Sequence, residues 1–135
     1  MADRINKTKL KEILLVDDDA DYRELTRMRL EAAGYQVSFA SGGRQALELL
    51  KGGCRPDLLI LDINMPDKNG LATMINLNAF IKSESDQGAR IPVIVATGLQ
   101  SEKVQEILMA QQVDDYLRKP YEAEELIEKI RRLLG

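Results

Sequence analysis

Short apolar runs alternate with longer amphipathic segments along this chain, and this alternation restricts the fold more than any other feature. Because the five runs are rich in apolar residues and do not alternate regularly with polar ones, they predict strands that are buried on both faces. A fivefold alternation of strand and helix favours one parallel sheet with right-handed crossovers. The sequence therefore predicts an α/β fold, a doubly wound five-stranded (βα)5 sheet with helices on both faces. The predicted strands are 13–16, 37–40, 58–61, 93–96 and 116–117, and the predicted helices are 21–33, 43–51, 70–82, 101–111 and 122–134.

The boundaries of two elements carry recognisable signals. Asp21 and Glu24 have the three-residue spacing of a capping pair and predict the start of the first helix. Gly34 follows that helix at a position where a left-handed backbone commonly ends a helix. A polar, glycine-bearing insert at 83–90 predicts a loop between the third helix and the fourth strand.

Size and composition exclude several classes of function. With 135 residues the chain is expected to form one domain, 12–135, after a polar lead at 1–11. The absence of histidine excludes His-dependent catalysis, and the single Cys54 excludes an internal disulfide or a thiolate zinc cluster. A net charge of −3 gives no electrostatic footprint for nucleic acid, and no apolar run approaches the roughly 20 residues that span a bilayer. We therefore expect a cytoplasmic domain that binds neither nucleic acid nor membrane directly.

Polar residues follow four of the five predicted strands. They are Asp17, Asp18 and Asp19 after the first, Asp62 after the third, Thr97 after the fourth and Lys119 after the fifth. Parallel strands share one carboxyl edge, so we expect these side chains to converge there. Closely packed carboxylates repel one another unless a cation lies among them, and oxygen ligands without His or Cys select Mg²⁺ or Mn²⁺. A carboxylate beside a metal, a lysine and a threonine is suited to nucleophilic attack on phosphorus.

Each of these features also has a purely structural interpretation. An Asp cluster after a strand often caps a helix, and a Thr at the end of a strand is commonly part of the framework. A Lys before Pro is usually a solvated charge near a turn. The ordered combination at four strand ends favours the functional interpretation, because the structural one needs four independent coincidences.

The motifs at these strand ends stand in a distinctive order. They are Leu-Val-Asp17-Asp18-Asp19, Leu-Asp62-Ile-Asn-Met-Pro, Val-Ala-Thr97-Gly and Tyr116-Leu-Arg-Lys119-Pro120. In this order they resemble the receiver domain of two-component response regulators, over about residues 12–134. The resemblance implies a flavodoxin-like fold, a receiver domain at 12–135, and a phosphoacceptor signalling domain rather than an enzyme.

The resemblance also implies a phosphoacceptor and a set of metal ligands. Asp62 is expected to accept the phosphoryl group in a reaction that depends on Mg²⁺, with Mn²⁺ as the alternative ion. Asp18 is expected to bind the metal directly and Asp17 through a metal-bound water. Asp62 and the backbone carbonyl of Asn64 complete the protein ligands that the resemblance implies.

Four further residues match the family pattern. Thr97 and Lys119 are expected to bind the phosphoryl oxygens. Tyr116 matches the switch aromatic, which turns inward when Thr97 moves toward the phosphoryl group. The bond between Lys119 and Pro120 is expected to be cis, as the tertiary amide permits.

The resemblance implies partners as well. A sensor histidine kinase or a small phosphodonor would supply the phosphoryl group, and output would pass through the face formed by the fourth helix, fifth strand and fifth helix. That face would contact a partner protein, an effector domain or a second copy of the chain. Alternatively, the chain is a receiver module of a longer DNA-binding regulator or hybrid histidine kinase. Charges of both signs that could pair across a two-fold axis are Lys103, Glu106, Asp115, Arg118 and Lys129.

Three other functions fit less well. A haloacid-dehalogenase-like phosphohydrolase places a second Asp two residues after its nucleophile, and Asp17 and Asp19 have this spacing. The motif usually has Thr or Val two residues further on, where this chain has Asp21. The sequence also lacks an insertion large enough for the cap domain of that family. A calcium-binding loop from Asp17 needs Gly and Glu where Tyr22 and Met28 stand. A scaffold that is never phosphorylated would not need the intact set of acidic, Thr and Lys positions.

The chain departs from the usual family pattern beside Thr97 and in the length of the segment between Asp62 and Thr97. Gly98 follows Thr97 where Ala or Ser is more frequent, which is expected to leave the phosphorylation site open. Asp62 and Thr97 are 35 positions apart, several more than is typical, and the excess falls on the third helix and the loop after it.

Overall fold

The computed structural model describes residues 10–63, 68–84, 90–98 and 102–135. Five strands form one parallel sheet in the order β2-β1-β3-β4-β5, which confirms the predicted doubly wound α/β fold. The strands are β1 (Glu12–Val16), β2 (Gln36–Ala40), β3 (Leu58–Ile63), β4 (Val93–Thr97) and β5 (Asp115–Arg118). The helices are α1 (Ala20–Ala32), α2 (Gly43–Lys51), α3 (Lys68–Glu84), α4 (Glu102–Ala110) and α5 (Ala123–Leu134).

The central strands are buried on both faces because apolar side chains cover each side of the sheet. In β1, Leu14 and Val16 belong to the apolar cluster that packs against α2, α3 and α4. Ile13 and Leu15 of the same strand point the other way, into the cluster with α1 and α5. This two-sided burial explains the apolar runs of the central strands. The edge strands β2 and β5 are only partly buried, so the prediction of burial on both faces was wrong for these two. Within the described part of the chain, no helix has the length and apolar character needed to cross a membrane.

The first helix begins earlier than the capping pair of Asp21 and Glu24 indicates. Asp19 is the N-cap residue, and its Oδ1 accepts a hydrogen bond from the backbone N–H of Tyr22 at 3.1 Å. The backbone N–H of Asp19 in turn donates to Asp17 Oδ1 at 2.9 Å, so the cap is tied to the end of β1. This tie favours Asp19 over Asp21 as the cap. At the other end, Gly34 has a φ of +100°, which confirms its predicted left-handed conformation.

The third helix is longer than the predicted range of 70–82 at both ends. Asn78, which is buried in α3, donates through Nδ2 to the backbone carbonyl of Gln111 at 2.5 Å and so links the helix to the end of α4. Ser83 belongs to the helix rather than to the predicted loop, and its hydroxyl donates to the carbonyl of Phe80 at 2.7 Å. Of the predicted loop at 83–90, residues 85–89 lie outside the described part of the chain.

Candidate functional site

The carboxyl edge of the sheet brings a buried carboxylate and a partly buried ammonium together. Asp62 is the fifth residue of β3, and Lys119 follows β5 directly. Lys119 Nζ lies 2.5 Å from Asp62 Oδ1, and only 2% of the Asp62 side chain is exposed. The two strands are separated by β4, so Lys119 reaches across one strand to make this ion pair.

Asp17 lies beside this pair and is held by its own backbone. It follows β1, is 1% exposed, and donates its N–H to the carbonyl of Ala40 at 3.1 Å. Its carbonyl accepts a hydrogen bond from Arg23 Nη1 at 2.8 Å, and its Oδ1 accepts the N–H of Asp19. Asp17 Oδ2 is buried without a hydrogen-bond donor among the described residues. A buried carboxylate oxygen without a donor marks a place where a cation is favoured.

The environment of Asp62 raises its pKa from the ordinary value of 3.8 to about 7. Burial is the largest cause, because a charge is costly in a medium of low polarity. Contact with the Lys119 ammonium opposes this rise, and the neighbouring Asp17 carboxylate adds to it. The carboxylate of Asp62 is thus poorly compensated by the protein alone, and an added cation would favour its ionised form.

Thr97 completes the same edge of the sheet. It ends β4 opposite Ile63 of β3 and is 3% exposed. Its carbonyl accepts a hydrogen bond from the backbone N–H of Lys119 at 2.9 Å, so the residues predicted to bind a phosphoryl group are joined through their backbones. The Lys119–Pro120 peptide bond is cis. A Cβ atom at Gly98 would lie 4.0 Å from Lys119 Cβ, which is ordinary contact, so glycine adds room beside the lysine.

The predicted metal ligands are placed unevenly. Asp17 and Asp62 are adjacent and buried, whereas Asp18 is exposed. Asn64, whose carbonyl is a predicted ligand, lies outside the described residues. Within residues 10–63, 68–84, 90–98 and 102–135, no three His, Cys, Asp or Glu side chains form a metal-binding group. The two buried carboxylates and the donorless Asp17 Oδ2 nevertheless fit a hard, oxygen-seeking cation, because Mg²⁺ retains several waters and needs few protein ligands.

Two tyrosines at the site were not singled out from the sequence. Lys119 Nζ lies 4.7 Å from the ring centroid of Tyr22, which stands in the first turn of α1. The ring of Tyr121 packs edge-on against that of Tyr22, with centroids 6.3 Å apart and an interplanar angle of 83°. Burial, followed by the hydrogen bond with the Tyr22 side chain, raises the pKa of Tyr121 above its usual range. Their positions in the sequence could have indicated a role at the site. Tyr22 lies three residues after the cap Asp19, and Tyr121 follows the Lys119-Pro120 pair directly.

The predicted switch residue Tyr116 lies on β5 with 39% of its surface exposed. Its neighbour Leu117 is buried on the opposite face of the strand. Of the charges that were expected to pair between two copies of the chain, Lys129 and Asp115 pair within one copy, with Lys129 Nζ 3.1 and 3.2 Å from the two carboxylate oxygens. Lys103, Glu106 and Arg118 are exposed on this face.

The chain resembles proteins of one family. The family model described as the response regulator receiver domain matches residues 13–131. The transcriptional regulatory protein CpxR of Escherichia coli K12 is 39% identical over 125 residues, covering 93% of this chain and 50% of CpxR. The response regulator MprA of Mycobacterium leprae is 38% identical over 122 residues, with coverage of 90% and 50%. The chain therefore spans about half the length of these curated relatives.

Solved structures agree with the sequence relatives. A CheY-like response regulator receiver domain protein from Methanospirillum hungatei has a TM-score of 0.79 and 28% identity, covering 93% of this chain and 94% of that one. The signal receiver domain of a signal transduction histidine kinase from Syntrophus aciditrophicus has a TM-score of 0.76 and 32% identity, with coverage of 92% and 89%. With the family model matched over nearly the whole described sheet, the chain belongs to the response regulator receiver domain family.

Proposed function

We propose that this chain accepts a phosphoryl group on Asp62 and uses it to switch the surface formed by α4, β5 and α5. The observation that carries the proposal is the buried Asp62 carboxylate, which lies 2.5 Å from Lys119 Nζ and beside Asp17 at the carboxyl edge of the sheet. The donor is a sensor histidine kinase or a small molecule such as acetyl phosphate. The proposed setting is the cytoplasm.

The reaction is a single displacement at phosphorus. An oxygen of Asp62 forms the new bond to phosphorus while the bond from phosphorus to the donor's nitrogen or oxygen breaks, and the leaving group takes that electron pair. Lys119 neutralises charge on the transferred oxygens, because its ammonium already lies at the acceptor carboxylate. Thr97, at the end of the neighbouring strand, donates its hydroxyl to a phosphoryl oxygen.

Asp17, Asp18, Asp62 and the backbone carbonyl of Asn64 would hold the Mg²⁺ ion, with Mn²⁺ as a substitute. When bound, the ion neutralises negative charge on the carboxylates and on the phosphoryl oxygens. The backbone of Asp17 and its Oδ1 are held by Asp19, Ala40 and Arg23, which leaves Oδ2, buried without a donor among the described residues, to contact the ion.

Labelling with a small donor tests the proposal. Incubation with acetyl phosphate and Mg²⁺ is expected to add one phosphate per chain, detectable by intact-mass spectrometry, and the adduct is expected to be labile to base as an acyl phosphate. Removal of divalent ions with a chelator is expected to abolish the adduct. A phosphate that persists in Asp62→Asn would contradict the assignment of the acceptor.

We assign the output to α4, β5 and α5 because β4, which ends at Thr97, pairs with β5, which carries Tyr116. A phosphoryl group on Asp62 would draw Thr97 inward and make room for the half-exposed ring of Tyr116, which gives two alternative states. Asp115 and Lys129 form an ion pair within one copy of the chain. Ion pairs with a second copy would therefore be made by the exposed residues Lys103, Glu106 and Arg118.

Beryllofluoride, which mimics the bound phosphoryl group, tests this output. It is expected to increase self-association or partner affinity by about 5- to 150-fold, the usual range of coupling between two sites. Sedimentation velocity with and without the analogue, on wild type and Tyr116→Ala, measures the effect. Binding of the analogue without any change in association at this face would contradict the role of Tyr116.

The relatives suggest a place for the domain in a longer protein. CpxR is named a transcriptional regulatory protein, and this chain matches 50% of its length. We therefore propose regulation of transcription through a DNA-binding effector domain as one output, and action through a separate partner protein as the other. The reading frame after Gly135 distinguishes the two.

A further inference from the structure

The aromatic ring of Tyr22 forms a second contact for the ammonium of Lys119. Nζ of Lys119 lies 2.5 Å from Asp62 Oδ1 and 4.7 Å from the ring centroid of Tyr22. A cation within about 6 Å of a tyrosine ring face is attracted by the negative charge density of the ring. The ammonium is therefore held between a carboxylate and an aromatic ring that belong to different elements of the fold.

The position of Tyr22 is itself fixed by two contacts. Its backbone N–H donates to Asp19 Oδ1 at 3.1 Å, which holds the first turn of α1 in place. The rings of Tyr22 and Tyr121 also pack edge-to-face, with their centroids 6.3 Å apart. Since Asp19 donates its own N–H to Asp17 Oδ1, Tyr22 is linked through the cap to the acidic cluster.

A lysine side chain has many rotamers, and most of them place the ammonium away from Asp62. A contact that restricts Lys119 to the productive rotamer lowers the entropy that is lost when the reaction begins. The ring of Tyr22 is suited to this task because it attracts a cation without forming a strong bond that would compete with the phosphoryl oxygens.

We infer that Tyr22 is a positioning residue, whose ring holds the Lys119 ammonium at the phosphoacceptor carboxylate. This inference rests on the proposed function of Asp62 and deepens it. The ring, rather than the hydroxyl, carries the effect, so Tyr22→Phe keeps the role and Tyr22→Leu removes it.

The first test is spectroscopic and needs no phosphorylation. The ε-methylene protons of Lys119, assigned by their absence in Lys119→Met, are expected to resonate upfield of ordinary lysines in the wild type because of the ring current of Tyr22. The upfield shift is expected to persist in Tyr22→Phe and to vanish in Tyr22→Leu. An ordinary lysine shift in the wild type overturns the inference, even if the leucine variant does not fold.

The second test measures the rate of phosphorylation by phosphoramidate, a donor that needs no kinase. Tyr22→Leu is expected to lower this rate by about 3- to 10-fold, and Tyr22→Phe is expected to stay within about 2-fold of the wild type. Met28→Ala, on an exposed position of the same helix, is the control and is expected to change neither the shift nor the rate. Thermal melts verify that all variants are folded.

The outcomes separate this inference from the function on which it rests. A wild type that takes no phosphoryl group overturns the proposed function and this inference with it. A phosphorylated wild type with an unchanged rate in Tyr22→Leu overturns the positioning role alone. Equal losses in Tyr22→Phe and Tyr22→Leu also overturn it, because the hydroxyl would then be responsible.

Discussion

The amino and carboxyl edges of the sheet both carry carboxylates, exposed or half-buried at the amino edge and buried at the carboxyl edge, and the protein satisfies them differently. At the amino edge, Asp57 precedes β3 and exchanges two hydrogen bonds with Glu12, the first residue of β1. Asp114 precedes β5 and makes the same exchange with Val93, the first residue of β4. In both pairs the Asp carboxylate accepts a hydrogen bond at 2.7 Å from the backbone N–H of the residue that begins the neighbouring strand. The backbone N–H of the Asp donates in return to the carbonyl of that same residue.

Among the described residues, the buried acids of the carboxyl edge make no such reciprocal pair of hydrogen bonds with a neighbouring strand. Asp17 Oδ2 lacks a hydrogen-bond donor among the described residues, and the pKa of Asp62 rises to about 7. Asp114, by contrast, also accepts two hydrogen bonds from Arg90. The comparison teaches that carboxylates which hold the fold together are satisfied by the chain, whereas those at the proposed reaction site are left short of positive charge.

The largest expected effect separates the two edges by function. Asp62→Asn is expected to abolish phosphorylation by acetyl phosphate, because the nucleophilic oxygen is lost. Asp114→Asn is expected to retain phosphorylation but to lower the free energy of unfolding by about 1–3 kcal/mol, because the Arg90 and Val93 contacts weaken. Intact-mass labelling and urea unfolding on both variants measure the two effects. Loss of labelling in a folded Asp114→Asn protein would remove the distinction.

Proton uptake provides the next test. The pKa of Asp62 is raised in the folded state, so between about pH 4 and pH 7 the folded chain holds a proton that the unfolded chain has released. The free energy of unfolding therefore falls as pH rises through this window in metal-free buffer. Asp62→Asn, which cannot ionise, is expected to be as stable as the wild type near pH 4 and more stable above pH 7, by roughly 2–4 kcal/mol.

Urea unfolding of both proteins from pH 4 to pH 8 measures this difference directly. Comparing variant with wild type removes the contribution of the other carboxylates, which titrate in both proteins. If the free energies of unfolding of the wild type and Asp62→Asn changed in parallel with pH, the raised pKa of Asp62 in the folded state would be contradicted.

A smaller effect distinguishes neighbouring acids after β1. Asp18→Asn is expected to weaken Mg²⁺ binding by about tenfold or more, because a direct carboxylate ligand is lost. Asp19→Asn is expected to leave the affinity within about threefold of the wild type, since Asn is an equally good N-cap and Asp19 serves α1. Titration calorimetry with MgCl₂ compares the two variants. Equal losses would mean that the roles within the acidic triplet are assigned wrongly.

The fold was predictable because it depends on patterns that are local in sequence. All five strands appeared as apolar runs, and α2 was predicted with both of its boundaries, since Gly52 and Gly53 follow it. The start of α1 was predicted from the spacing of Asp21 and Glu24, but Asp19 is the cap, because its N–H is held by Asp17 Oδ1 at the edge of the sheet. The link from α3 to the end of α4 was not predictable, because Asn78 and Gln111 are 33 positions apart.

The site shows the same limit. The convergence of Asp17, Asp62, Thr97 and Lys119 follows from the parallel sheet, so their positions in sequence were enough to predict it. The contact of Tyr22 with Lys119 depends on which side of α1 faces the loop after β5, and the sequence does not specify that rotation. The internal pair of Asp115 and Lys129 likewise depends on how α5 packs beside β5.

The central claim is that Asp62, among all the acids of the two edges, accepts the phosphoryl group. Borohydride reduction of the phosphorylated protein converts an aspartyl phosphate to homoserine, and peptide mass spectrometry then locates the converted residue. The account predicts homoserine at position 62 alone. Homoserine at Asp57 or Asp114, or no conversion in a protein that has been incubated with acetyl phosphate and Mg²⁺, would contradict it.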